Sequence, residues 1–204
     1  MSILKDTYRT IDNKFEGEIY KEKGSKFIGF AFPVKNEEEI SNFIAEVKTE
    51  HYKARHWCYA WRLGMENFQF RANDDGEPSN SAGKPIYGQI LSKDLTNILI
   101  VVVRYYGGTK HGVGGLINAY RTGASNVLDV SYIKTKTINI EFNINFAYKD
   151  MDKVLRILND NKVTILNRKM EFDCDFLVSV RKKDYSKVHT ALEELRCINF
   201  DEEE

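Results

Sequence analysis

Residues 97–120, NILIVVVRYYGGTKHGVGGLINAY, join an unbroken apolar run to a glycine-rich loop and then to apolar residues at helical spacing. The run from Ile98 to Val103 predicts a strand that is buried on both faces of a sheet. Beyond the loop, an apolar or small residue recurs every three or four positions, which predicts a core helix in close contact with that sheet. The inward residues of this helix are Leu116, Ala119, Tyr120, Gly123, Ala124, Val127 and Leu128.

The glycine-rich loop, RYYGGTKHGVGGL at residues 104–116, holds five of the chain's 13 glycines. It lacks the Gly-Lys-Ser/Thr ending of a P-loop and the G-x-G-x-x-G spacing of a dinucleotide fold. A strand, a glycine-rich loop and a helix start nevertheless point backbone N–H groups at an anion. The alternative is that the glycines only permit positive φ angles and a tight approach of helix and sheet. The candidate anion- or nucleic-acid-binding residues are Arg104, Gly107, Gly108, Lys110, His111, Gly112, Gly114 and Gly115.

A second polar loop, DDGEPSNSAG at residues 74–83, carries three acidic residues. Clustered carboxylates supply part of the oxygen shell of a hard cation, so the loop is a candidate metal or catalytic site. The simpler interpretation, which we favour, is a turn at Asp75–Gly76 and a helix cap at Ser79 or Ser81. The candidate residues in and around this loop are His56, Asp74, Asp75, Gly76, Glu77 and Lys84.

His56 and Cys58 are two positions apart in the predicted strand HWCYAW and therefore share one face. Such neighbours lie roughly 7 Å apart, whereas a Cys–His nucleophile pair needs contact between the two side chains. We therefore favour a packed cysteine and a hydrogen-bonded histidine. The remaining histidines show no metal-ligand spacing. The sequence predicts no catalytic residue, no metal site and no cofactor.

The chain of 204 residues is electrically balanced, with 30 basic and 30 acidic side chains. Its three cysteines are widely separated, which argues against a disulfide framework and fits a reducing compartment. The longest apolar run is too short to span a bilayer, and the first residues have no signal-peptide pattern. We expect a soluble cytoplasmic protein that does not contact a membrane.

Flanking segments predict further elements of an N-terminal domain. A hairpin is predicted with its turn at Lys23–Gly24–Ser25. A helix is predicted to begin at Asn36, with Glu39 as its partner in a capping box. A short helix is predicted after Pro85. The inward residues of this short helix are Ile86, Ile90 and Leu91.

The pattern changes near residues 134–136. INIEFNINF, residues 138–146, alternates strictly between apolar and polar residues, which predicts a strand with one buried face. A helix, two strands, a second helix and a short strand follow. This β-α-β-β-α-β order is the ferredoxin-like arrangement. We therefore predict an α+β protein with two domains, residues 1–134 and residues 135–204.

Three motifs follow one another along the chain: HWCYAW, DDGEPSNSAGKPI and NILIVVVRYYGGTKHGVGGLINAY. With the C-terminal pattern, they resemble the YigZ/Impact family of uncharacterised and translation-linked proteins over nearly the whole chain. The resemblance implies an N-terminal Impact domain with the fold of the second domain of small-subunit ribosomal protein five. It also implies a C-terminal ferredoxin-like domain similar to the last domain of elongation factor G.

The resemblance also implies a shared surface formed by both polar loops. One departure is His111, where family members often carry an apolar residue; a histidine suits an exposed polar loop. No catalytic mechanism comes with the family. The residues that the resemblance assigns to the shared surface are His56, Asp74, Asp75, Gly76, Glu77, Pro78, Ala82, Gly83, Pro85, Arg104, Tyr105, Gly107, Gly108, Gly112, Gly114 and Gly115.

Sequence and resemblance together predict a non-enzymatic protein of translation or its regulation, which binds RNA, the ribosome or a translation-control protein. Phosphate contacts through backbone amides, Arg104 and Lys110 would dominate its affinity. One alternative is a metal-assisted hydrolase or phosphoryl-transfer enzyme, which needs both loops to meet in one cleft and the carboxylates of Asp74, Asp75 and Glu77 to surround one cation. The other alternative is a small-anion binding module, which needs a closed pocket.

Overall fold

A computed structural model describes residues 6–201 of the chain. Within them, residues 8–136 form one compact unit, and residues 137–201 form another with Asp6 and Thr7. The elements of the first part of the chain are β1 (Thr7–Ile11), β2 (Phe15–Glu16), β3 (Tyr20–Glu22), β4 (Ser25–Pro33), α1 (Glu37–Glu50), β5 (His56–Leu63), β6 (Gln69–Asn73), α2 (Gly83–Ser92), β7 (Ile98–Tyr105), α3 (Gly112–Val130) and β8 (Ile133–Thr137).

The main sheet places β2, β4, β7, β5 and β6 side by side in that order, and β3 also pairs with β4. These pairings are antiparallel. β7 is buried from Ile98 to Arg104, which confirms the prediction of a strand covered on both faces. Side chains of a strand alternate between its faces. Val102 therefore packs in one apolar cluster with α2 and α3, whereas Val103 packs in a second cluster with α1.

α3 lies close to the sheet because two glycines remove the side chains between them. A Cβ added at Gly29 of β4 would be 2.2 Å from the carbonyl oxygen of Gly123 in α3. A Cβ added at Gly123 would meet the Cγ1 of Val102 at 3.0 Å. All the residues predicted to face inward on α3 are buried, which confirms a core helix in close contact with the sheet.

The ends of α1 and α2 follow local hydrogen bonds that the sequence predicted only in part. Asn36 caps α1 by accepting the N–H of Glu39 at 2.9 Å, as predicted. The Glu39 carboxylate, however, accepts the N–H of Lys35 at 2.8 Å instead of that of Asn36. α2 begins two residues before Pro85, so this proline lies in the first turn, where its missing N–H has no intrahelical partner to lose.

Leu91 corrects one prediction for α2. Ile86 and Ile90 are fully buried, as expected, but the Leu91 residue is 47% exposed. A helix advances by about 100° per residue, so the position after Ile90 lies away from the line that joins Ile86 and Ile90. The apolar face of α2 is therefore narrower than its composition indicates.

The second unit has the predicted β-α-β-β-α-β order and an antiparallel sheet. Its strands are arranged as β10-β11-β9-β12, and its core combines one face of this sheet with both helices. The described residues therefore form an α+β structure with antiparallel sheets. The elements of the second unit are β9 (Asn139–Ala147), α4 (Met151–Asp160), β10 (Thr164–Met170), β11 (Asp173–Arg181), α5 (Tyr185–Glu193) and β12 (Ile198–Asp201).

Candidate functional site

The two polar loops meet in the first unit, between the end of β7 and the beginning of α3. A depression of about 280 Å³ is lined by residues from both loops. Glu77 and Pro78 come from the second loop. The glycine-rich loop contributes Tyr106, Lys110 and the first residues of α3. The sequence pattern named both loops, and the fold brings them together.

Arg104 lies beneath this surface, contrary to the prediction that it faces a partner. The residue is 4% exposed, and its Nη1 donates to the Oε1 of Glu77 at 2.5 Å. The hydroxyl of Tyr120 donates to the same oxygen at 2.7 Å. A buried guanidinium is costly without a carboxylate partner, so Arg104 and Glu77 form a structural pair that joins the two loops.

His111 is also buried, at 7% exposure, which corrects the expectation that it makes the loop polar at the surface. Its Nδ1 lies 3.1 Å from the Nη2 of Arg104, and its Nε2 lies 2.9 Å from the carbonyl oxygen of Glu22. An arginine only donates hydrogen bonds. We therefore assign the proton to Nε2, which donates to Glu22, while Nδ1 accepts from Arg104. His111 thus anchors the start of α3 to the β3–β4 hairpin.

The glycines of the loop differ in backbone angle and in the space beside them; at Gly115, an added Cβ would meet the Cβ of His111 at 3.3 Å. A Cβ added at Gly107 would be 1.9 Å from the carbonyl carbon of Gly24, so this position serves close packing. Gly108 and Gly112 adopt positive φ angles, 88° and 72°, and an added Cβ would meet no atom within 4 Å at either. Gly114 has neither a positive φ nor a neighbour within 4 Å. Packing therefore explains Gly107, and it does not explain Gly114.

We call the exposed residues Gly108, Lys110, Gly112 and Gly114 the open glycine face. It lies at the N-terminus of α3, a helix of 19 residues whose N-cap residue, His111, makes no side-chain capping bond. The first N–H groups of an α-helix have no partner within the helix and carry a partial positive charge. Together with Lys110, this end of α3 presents groups that attract an anion.

Asp74 has a structural role in the second loop. Its Oδ1 accepts the N–H groups of Ala82 and Gly83 at 2.9 and 2.8 Å, and its Oδ2 accepts that of Asn80 at 2.8 Å. Asp74 therefore caps α2 across the loop, so the prediction of a cap at Ser79 or Ser81 is wrong. The Ser81 hydroxyl instead donates to the carbonyl oxygen of Pro78 at 2.6 Å.

Asp75 binds the neighbouring strand β5. Its Oδ2 accepts the N–H of Trp57 at 2.7 Å, and its backbone oxygen lies 2.9 Å from the Nδ1 of His56. The predicted turn at Asp75–Gly76 is present, with a hydrogen bond from the N–H of Glu77 to the carbonyl of Asp74 at 2.9 Å. The three acidic side chains of this loop thus bind different partners.

Neither a metal cluster nor an activated thiol emerges around this loop. Within residues 6–201, no three or more His, Cys, Asp or Glu side chains group in a way that would hold a metal ion. The Sγ of Cys58 donates to the carbonyl oxygen of Asp74 at 3.0 Å. Burial raises the pKa of the Cys58 thiol well above its usual range, which suits a packed cysteine. Lys84 is exposed on α2.

Tyr106 is a surface residue that the sequence pattern did not single out. Its residue exposure is 38%, and it lines the depression between the loops. The sequence feature that could have indicated Tyr106 is its place directly after the buried strand and before the glycines.

The helices of residues 6–201 include none that is long and apolar enough to cross a membrane.

Comparisons with known proteins agree with the motifs. The family model for the Impact N-terminal domain matches residues 23–128. An IMPACT family member from Haemophilus influenzae is 32% identical over 182 residues, which cover 88% of this chain and 87% of that protein. The IMPACT family member YigZ from Escherichia coli is 35% identical over 147 residues, 71% of this chain and 72% of that protein.

A solved crystal structure of a hypothetical protein shares the architecture. It superposes with a TM-score of 0.73 at 27% identity and covers 98% of this chain and all of its own. The sequence matches and the shared architecture both extend well beyond the two polar loops. The chain belongs to the Impact family.

Proposed function

We propose that this protein is a non-enzymatic, cytosolic RNA- or ribosome-associated factor in translation or its regulation, and that the open glycine face contacts phosphate groups. The family resemblance drawn from the motifs points to translation. Within that role, phosphate contacts would supply most of the affinity, and backbone amides would position the nucleic acid. We also propose that the first unit has the fold of the second domain of small-subunit ribosomal protein five. The second unit would then resemble the last domain of elongation factor G.

One observation carries the proposal: at Gly114, the open glycine face leaves backbone exposed although neither packing nor the backbone angle requires a glycine there. Gly114 has an ordinary φ and open space beside it. A glycine inside a helix costs up to about 1 kcal/mol relative to alanine. Such a cost is understandable where a ligand must approach the backbone closely. The uncapped N-terminus of α3 and the exposed Lys110 supply the matching charge.

Because Arg104 is buried, other residues carry the proposed phosphate binding. Its charge is balanced by Glu77 inside the protein, so its guanidinium is not assigned to phosphate. Lys110 and the helix amides take that place in the proposal. The carboxylates of the second loop each hold a backbone group or Arg104, which favours the binding protein over the metal-assisted enzyme.

The proposal predicts a measurable electrostatic contribution from Lys110. Binding of the full chain to ribosomes and to structured ribosomal RNA is measured over a series of salt concentrations. We expect Lys110→Gln to weaken binding and to flatten the log–log salt dependence by about one unit, because one phosphate contact is lost. Lys187→Gln, an exposed lysine of the second unit, is the matched control and should leave the slope unchanged.

Two results would overturn the proposal. The first is the absence of binding to either RNA probe at low salt. The second is equal salt slopes for wild type and Lys110→Gln. If ribosomes bind while naked RNA does not, and the slopes stay equal, a protein partner on the ribosome replaces RNA as the ligand.

A further inference from the structure

Tyr106 stands between two depressions on the surface of the first unit. One depression, of about 280 Å³, is also lined by Lys110 and Val113. The other, of about 360 Å³, is also lined by Lys26 and Ile19. Volumes of this size approach those of small ligand sites, about 300 Å³ and above. A partly exposed ring between two such spaces offers a face to a planar ligand.

Three exposed cations surround this ring. The guanidinium carbon of Arg55 lies 5.5 Å from the ring centroid of Tyr106. Lys26 and Lys110 line the two depressions, one on each side. No ion pair joins any of the three to a carboxylate within residues 6–201. Arg104 also lies near the ring, with its guanidinium carbon 5.3 Å from the ring centroid, but it is buried and paired with Glu77.

An aromatic ring among unpaired cations matches the chemistry of single-stranded nucleic acid. Unpaired bases stack on aromatic side chains while neighbouring phosphates lie against lysine and arginine. Bases within a duplex are stacked on each other and offer no free face, and the grooves of an RNA duplex are recognised mainly by shape. The arrangement around Tyr106 therefore favours an unpaired segment over a duplex.

We propose that Tyr106 is a stacking platform for an unpaired base of single-stranded RNA, with Lys26, Arg55 and Lys110 on the adjacent phosphates. This inference rests on the proposed function and narrows it to unpaired RNA. The Arg55 guanidinium lies beside the ring, and a base that stacks on Tyr106 would displace it toward an adjacent phosphate. The open glycine face would hold a phosphate on the Lys110 side.

The test compares short oligoadenylate with a blunt RNA duplex of equal length, both bound to the full chain. The oligoadenylate carries one fluorescent adenine analogue whose emission falls on stacking. We expect tighter binding of the single strand, quenching of the analogue, and a loss of about five- to hundredfold in affinity for Tyr106→Leu. Tyr106→Phe keeps the ring and should bind and quench like wild type.

Tyr52 provides a matched control on the same unit. Tyr52 is 70% exposed, and the Nζ of Lys53 lies 5.5 Å from its ring centroid. It lines neither depression. Tyr52→Leu should therefore leave affinity and quenching unchanged. Quenching in the wild type tests the stacking independently of whether Tyr106→Leu folds.

The outcomes separate this inference from the proposed function. If RNA binds but the duplex binds as well as the single strand, and the analogue is not quenched, the stacking role is wrong and RNA binding stands. If Tyr106→Leu and Tyr52→Leu lose affinity equally, Tyr106 has no special place. If neither the single strand nor the duplex binds, the stacking role fails, and the salt series with ribosomes and structured ribosomal RNA decides the proposed function separately.

Discussion

Glu77→Leu is expected to lower the free energy of unfolding by about 3–5 kcal/mol, the usual cost of removing one partner of a buried ion pair. Glu77 and Arg104 both have side chains that are 5% exposed. Without the carboxylate, the guanidinium and the Tyr120 hydroxyl lose their shared acceptor. Urea denaturation followed by fluorescence measures the loss, and Glu77→Gln, which keeps an acceptor oxygen, should lose less.

A double-variant cycle tests whether the cost comes from the stranded charge. Arg104→Met removes the guanidinium and fills similar volume with apolar atoms. In the double variant Glu77→Leu/Arg104→Met, no charge remains unpaired, so we expect a loss well below the sum of the two single losses. Simple additivity of the two losses would show that Glu77 and Arg104 act independently and would contradict the structural pairing.

Gly29→Ala is expected to destabilise the first unit by about 3 kcal/mol, at the upper end of the usual cost of overpacking. The added Cβ would be 2.2 Å from the carbonyl oxygen of Gly123, and backbone cannot move aside as a side chain can. Relief requires α3 to shift away from β4. Thermal or urea unfolding of the variant measures the effect.

Gly123→Ala is the companion variant for this contact. Its added Cβ would meet a side-chain atom of Val102 at 3.0 Å, and alanine favours the helix. We therefore expect a loss clearly smaller than that of Gly29→Ala. Equal losses, or a Gly29→Ala variant as stable as wild type, would contradict the close approach of α3 to the sheet.

The sequence predicted most elements because their apolar spacing is set by local geometry. The buried strand β7 follows from its unbroken apolar run, and the inward residues of α3 follow from a spacing of three to four. Leu91 was placed wrongly because composition does not reveal how wide the covered face of a short helix is. The cap of α2 was missed because Asp74 reaches its amides from across the loop, which local capping rules do not describe.

The sequence singled out the two loops that meet in the structure, but it did not predict that the Arg104 side chain is buried. Arg104 has the same parity in β7 as Val102, so a strand period of two already directs it toward the cluster under α3. What the sequence does not contain is the partner: Glu77 comes from a different loop and meets Arg104 only in the folded protein. Tyr106 was missed because exposure of a single ring depends on the surrounding loops.

The most direct test of the open glycine face is a pair of glycine substitutions, Gly114→Gln and Gly88→Gln. Both positions are exposed in helices, and an added Cβ meets no atom within 4 Å at either. Glutamine forms helices better than glycine, so neither variant should lose stability. A side chain at Gly114 leans toward the N-terminus of α3, where the phosphate is proposed to lie.

The quantity to measure is the affinity of each variant for structured ribosomal RNA at a fixed salt concentration. We expect Gly114→Gln to bind at least about tenfold more weakly than wild type, a change of about 1.4 kcal/mol, and Gly88→Gln to bind like wild type. If a folded Gly114→Gln binds RNA as tightly as wild type, the open glycine face does not contact the nucleic acid.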